Sequence, residues 1–125
     1  MITKEMKDAI FAQFDDGEDV MECYEKLAAQ HKIKSAVILS GIGMVRGAKL
    51  GTFVKRAGNW EYEWETVSEP AELVSASGNI MQNPDGKLVV HIHAAIAGKD
   101  HIVHGGHLGA AKVCIKNVVF VKKVE

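Results

Sequence analysis

The sequence predicts an α+β domain in which one main helix packs on a curved, largely antiparallel β-sheet. Three observations predict it. A single stretch near the start carries the 3.6-residue spacing of an amphipathic helix. Everything from Ala36 onward has the branched, alternating texture of strands. Glycines and a strong turn signal then break that texture into strands, so that one helix stands among about seven strands. At 125 residues the chain is long enough for one hydrophobic core and too short for two. No linker, repeat or low-complexity tract divides it, so residues 1–125 are read as one domain.

The elements follow in order. Lys7 to Phe14 is short and partly apolar and reads as a strand running into the turn Asp15-Asp16-Gly17. In EDVMECYEKLAAQHKI, Val20, Cys23, Tyr24, Leu27, Ala28 and His31 fall on one helical face. Glu18 and Asp19 stand at its start, where carboxylates favour the positive end of the helix dipole. His31 continues the apolar stripe and is assigned a structural role. Ala36 to Ile42 reads as a strand covered on both faces. The glycines of SGIGMVRGAKLGTF lack a GKS/T ending, a GxGxxG pattern and a following helix. They are better suited to bends and bulges in a curved sheet than to cradling a phosphate.

WEYEWETV alternates strictly, with Trp60, Tyr62, Trp64 and Thr66 on one face and Glu61, Glu63 and Glu65 on the other. The aromatic face is fit to pack on the core or on a partner chain. Glu72 to Met81 is a further strand, and Asn83-Pro84-Asp85-Gly86 is a turn. Lys87 to Ala97 and Ile102 to Leu108 flank Gly98-Lys99-Asp100 as a hairpin, and Val113 to Val121 is the last strand.

Composition narrows the function. A hydrophobic content of 47% with 25% charged residues is ordinary for a soluble globular domain. Fifteen Lys and Arg against sixteen Asp and Glu leave a formal charge of −1, without the basic footprint of a nucleic-acid binder. Cys23 and Cys114 are far apart and outside any CxxC spacing, so they signal neither a disulfide framework nor a thiolate metal site. Both are read as small core residues. No leader-like or membrane-spanning apolar segment is visible, so a cytoplasmic protein is expected.

The chemistry concentrates in HIHAAIAGKDHIVHGGH, which holds five of the six histidines. Strand alternation puts His91 and His93 on one face with Cα atoms roughly 6.5–7 Å apart, close enough for two imidazoles to share one ion. Val90, Ile92, Ala94 and Ile96 form the opposite, core-facing side. Val89, Ala95 and Ala97 flank the histidines, so the strand is expected to be covered on both faces. Gly105-Gly106 permits close backbone approach and brings His107 toward the neighbouring strand. Three neutral imidazoles with an open fourth position are the donor set of catalytic zinc sites. A ladder of histidines bonded to carbonyls or to each other is the alternative that spacing leaves open. His101, at the turn, and His104, in strand parity with Ile102, are weaker candidates.

GIGMVRGAKLGTF, EPAELVSASGNIM, DGKLVVHIHAAIA and GGHLGAAKVCI occur in the order of the PPC domain (DUF296), conserved in plants and prokaryotes, and the chain resembles that family over essentially its whole length. The resemblance implies a helix against an antiparallel sheet, assembled as a homotrimer. Prokaryotic members are stand-alone domains commonly described as predicted DNA-binding or regulatory proteins. In plants the DNA contact belongs to an accompanying AT-hook, and its Arg-Gly-Arg-Pro core is missing from this sequence. The family also looks related to acetolactate decarboxylase, a zinc enzyme with ligands from an HxH strand and a following GGH. By that likeness His91, His93 and His107 are the metal ligands and Zn2+ the expected ion, with another divalent metal possible. Glu72 and Arg46 are nominated for the enzyme's catalytic glutamate and arginine, against ordinary ion pairing as the simpler role.

Three functions follow as expectations. The first is a homotrimeric metal protein that binds a small anionic or carbonyl ligand. The second is a zinc-dependent lyase or hydrolase acting on a small carbonyl compound. The third, disfavoured by the charge, is a DNA- or transcription-factor-associated module.

Overall fold

The computed structural model describes all residues from Met1 to Glu125. It contains one helix and seven strands: β1 (Ile2–Glu5), β2 (Ile10–Asp15), α1 (Val20–Gln30), β3 (Ser35–Arg56), β4 (Asn59–Val67), β5 (Ala71–Gln82), β6 (Leu88–Ala97) and β7 (Val103–Lys123). This is the expected α+β class, and every strand pairing is antiparallel. The strand order is β1-β2-β7-β6-β5-β3-β4, with an additional β7–β3 pairing. That pairing closes β3, β5, β6 and β7 into a ring, which removes the two edges that an open sheet would leave there.

The helix forms where its apolar stripe and its cap agree. Asp19 is the N-cap, and its Oδ1 accepts from the Glu22 N–H at 3.0 Å. Val20, Cys23, Tyr24, Leu27 and Ala28 are all buried. They join one buried cluster with Phe14 on β2 and the inward residues of the ring, Ile38, Ile80, Ile92, Ile96, Val113 and Val121. Tyr24 meets Phe14 edge-on with ring centroids 5.0 Å apart. Burial pushes the Cys23 thiol up to about 12, so it is an inert core residue as expected. His31 is the C-cap residue and its Nε2 lies 3.0 Å from Thr3 Oγ1, a structural role.

Four features differ from the sequence reading. β1 was not foreseen: ITKE has no periodicity of its own, and it is a strand because it pairs along β2. The segments Ile102–Leu108 and Val113–Val121 are not separate strands, since β7 runs unbroken from Val103 to Lys123. Small residues at Gly109, Ala110 and Ala111 let it bend around the ring without stopping. β3 likewise continues to Arg56 and turns back into β4 through Ala57 and Gly58, both at positive φ, the backbone of a type I′ hairpin turn. Finally, Ala36–Ile42 is covered on one face only. Val37, Leu39 and Ile42 are 38%, 51% and 52% exposed.

The glycine-rich segment makes bulges, as expected. The β3–β7 register shifts at Ile38/Ser40, Gly43/Met44, Arg46/Lys49 and Lys49/Leu50. At Gly43 a side chain is impossible, because a Cβ would lie 2.1 Å from the Lys116 carbonyl oxygen. Buried Asn117 fixes this bulge by donating from Nδ2 to the carbonyls of Met44 and Lys116, at 2.8 and 2.9 Å. The predicted turn at Asn83–Gly86 is present, closed by the Gly86 N–H donating to the Asn83 carbonyl.

Candidate metal centre

The closed ring places a line of directly opposed residues across five strands. Trp64 on β4 faces Gly51 on β3, Gly51 faces His107 on β7, His107 faces His93 on β6, and His93 faces Ser77 on β5. One row along, Val37, Asn79 and His91 are opposed on β3, β5 and β6. Alternation then puts His91, His93 and His107 on the outer face of the sheet, while Ile92, between the first two, is fully buried inside.

The three imidazoles converge. Ligand nitrogens from all three lie within 4.8 Å of one another. The Nε2 atoms of His91 and His93 are 3.2 Å apart, close to the roughly 3.3 Å edge of a tetrahedron built on Zn–N bonds of about 2.0–2.1 Å. His107 Nδ1 is buried and no protein group pairs with it, a cost that a bound ion or its surroundings would relieve. The donor set therefore fits a divalent metal of zinc type. His101 and His104 stand apart from it. His101 sits in the β6–β7 turn at φ 63°, its N–H donating to the Gly98 carbonyl, and His104 is exposed opposite Ile96.

The expectation that β6 is covered on both faces is corrected. Within one chain His91 and His93 are exposed and His107 is half-buried. Burial, followed by the charges of His91 and His93, holds His107 below its ordinary value of 6.5. The unfolded chain therefore takes up this proton at a higher pH than the folded chain does. Metal-free protein is expected to lose stability as pH falls below 6.5, the ordinary value. Denaturant midpoints measured through that range should fall more steeply for the wild type than for His107→Gln.

The aromatic face of β4 packs here, and not on the core. Tyr62 stacks on Phe53 with centroids 4.1 Å apart and approaches the His107 ring at 4.9 Å. Trp64 meets the same imidazole edge-on at 5.9 Å, with Lys49 Nζ 4.5 Å from its own ring. A glycine floor makes this possible. A Cβ on Gly51 or Gly109 would come within 2.7 or 2.6 Å of the Trp64 ring, and one on Gly106 within 2.8 Å of the Gly51 carbonyl oxygen. Phe53, Tyr62 and Trp64 are thus site residues that the sequence reading missed. Their signal was present in the alternation of WEYEWETV beside a glycine-rich strand, but not what the aromatic face would meet.

Glu72 and Arg46 are not brought to the histidines within the chain. Glu72 is opposite Ala97, five strand positions from Ser77 and so roughly 16 Å away along β5 at about 3.3 Å per residue. Arg46 is opposite Lys112, and its guanidinium pairs with Asp16 at 3.2 Å on the surface.

A closed antiparallel sheet bearing three convergent imidazoles on its outer face defines a histidine-only candidate metal site on a β scaffold. The chain belongs to the Plants and Prokaryotes Conserved (PCC) domain family, whose profile matches residues 1–125. It is similar to the plant- and prokaryote-conserved protein of Pyrococcus horikoshii, at 25% identity and a TM-score of 0.81, covering 97% of this chain and 81% of that one. It is also similar to a metal-containing protein of Archaeoglobus fulgidus, at 32% identity and a TM-score of 0.79 over 98% of this chain and 84% of that one. Among curated proteins it matches the bifunctional protein GlmU of Synechococcus sp. (strain JA-3-3Ab), 30% identical over 92 residues. That match covers 74% of this chain and spans 13% of the relative's length. No helix is long and apolar enough to cross a membrane.

Proposed function

We propose that the protein is a homotrimer that holds one zinc ion per chain on His91, His93 and His107, and that the ion's open side binds a small anionic or carbonyl ligand. The observation that carries this reading is the convergence of three imidazoles, from two strands, on a spacing suited to tetrahedral zinc. The Archaeoglobus fulgidus relative, described as metal-containing, supports it at 32% identity. The three-fold assembly is what the family resemblance implies, and the outer apolar side chains Leu39, Ile42, Val74, Met81 and Val89, all more than two-fifths exposed in one chain, offer a surface for contact between chains. Val89 lies two residues from His91 on the same face of β6, so an interface over these residues borders the metal site.

A zinc-dependent lyase or hydrolase is the alternative, favoured by the open side of the cluster and by the HxH…GGH likeness to acetolactate decarboxylase. Within one chain, Tyr62 brings a polar side chain beside the imidazoles on that side, with its ring 4.9 Å from that of His107. Glu72 and Arg46 would have to come from a neighbouring chain. A DNA-associated role has the least support, since the formal charge is −1 and Arg56 is already paired with Glu61 and Glu63.

Native mass spectrometry of zinc-grown protein tests both parts at once. The expected species has three chains of 13.6 kDa with one zinc each. The His91→Ala/His93→Ala variant is expected to carry none. A monomer would overturn the trimer, and equal, negligible zinc in both proteins would overturn the site.

A further inference from the structure

We infer that Phe53 and Tyr62 form the second wall of the ligand site, and that the site takes a small carboxylate with a planar apolar body. The carboxylate occupies the open metal position and the planar body lies against the two rings. This inference rests on the metal reading above and specifies its ligand.

A cavity of about 410 Å³ carries the argument, lined by His91, His93 and His107 and, next to them, by Phe53 and Tyr62. Its volume lies in the range of small-molecule sites. Two features fix the ligand's charge. The lining contains no Asp, Glu, Lys or Arg, and three neutral imidazoles leave the charge of a divalent ion uncompensated. The carboxylates nearest in sequence, Glu61 and Glu63, flank Tyr62 on the opposite side of β4 and pair with Arg56. An anion is therefore the ligand that the charge balance favours.

The aromatic wall fixes the rest. Phe53 remains 55% exposed although it is stacked on Tyr62 at 4.1 Å and 18°. Two parallel rings standing beside a metal position offer a planar guest an offset-stacked or edge contact. Gly51 lets the aromatic wall come down beside the imidazoles, since a Cβ there would lie 2.7 Å from the Trp64 ring and 3.0 Å from the Tyr62 ring. Gly51 has no positive φ, so it is the packing of these rings, and not the backbone, that requires glycine there.

Cobalt(II)-substituted protein tests this, because its visible spectrum changes when the fourth ligand changes. Wild type and Phe53→Ala are titrated with benzoate and with acetate, and cobalt content is measured in both. Benzoate is expected to bind wild type about tenfold more tightly than acetate, from burial and stacking of its ring. In Phe53→Ala that preference is expected to fall below about threefold, with cobalt retained. Equal binding of the two acids by wild type, or a preference unchanged in Phe53→Ala, overturns the inference and leaves the metal reading standing. Loss of cobalt from Phe53→Ala alone would make Phe53 a support of the metal site and also overturn its ligand role. Wild-type protein that takes up no cobalt overturns both readings.

Discussion

Saturating zinc is expected to raise the midpoint of thermal unfolding by about 10–20 °C in wild-type protein and to leave the His91→Ala/His93→Ala variant unchanged. The physical reason is that the site exists only in the folded chain. His91 and His93 are near neighbours in any extended segment, but His107 reaches them only through the β6–β7 pairing that sets it opposite His93. A ligand that binds the folded state alone stabilises it by about 4 kcal/mol at a free concentration a thousandfold above its dissociation constant. In a domain of this size each kcal/mol moves the midpoint by about 3–5 °C. The effect should reverse with chelator and fade on acidification, since protons compete for the same imidazole nitrogens. Scans at fixed protein concentration, with and without zinc, check it. A midpoint indifferent to zinc, or an equal rise in the double variant, would show that the three histidines do not form the site.

Gly78→Ala is expected to destabilise the protein by at least about 3 kcal/mol, lowering the unfolding midpoint by about 10 °C or more. Gly78 lies on β5 between Ile38 of β3 and Ile92 of β6, inside the closed ring. A Cβ there would stand 1.9 Å from the carbonyl oxygen of His91 and 3.0 Å from the Cα of Ile92. Neither neighbour is a side chain that can swing away, and closure of the ring leaves β6 no free edge toward which to move. Because the displaced carbonyl belongs to His91, zinc affinity should fall with stability. Gly98→Ala is the control. Its Cβ would meet only the Asp100 carboxylate, at an ordinary 3.9 Å, and it should be near neutral. Denaturant unfolding of the three proteins measures the difference, and a Gly78→Ala protein as stable as the control would contradict the close approach of β5 and β6.

Much of this was legible in the chain itself. The helix was, because Val20, Cys23, Tyr24, Leu27 and Ala28 are spaced for one buried face and Glu18 and Asp19 stand at its start, information confined to a dozen consecutive residues. The three histidines were, because strand parity and a glycine pair are also local. The joining of two read strands into β7 was not. Its small residues look like a break in sequence and act as a bend in a closed sheet. The exposed outer faces of Ala36–Ile42 and of β6 were not either, since a run of apolar residues reads the same whether its second face meets the same chain, a partner or solvent.

The sequence by itself determined the α+β class, the order of most elements, the inert core thiol of Cys23 and the identity of the three imidazoles. Each of these depends on periodicity or on chemistry within a few residues. Only the tertiary structure decided that Tyr62 stacks on Phe53 beside His107, and that Glu72 and Arg46 lie away from the cluster within the chain. Those outcomes depend on which strands pair and in what register. Register across a closed ring is set by the fit of every strand at once, through bulges and glycine contacts between residues far apart in sequence.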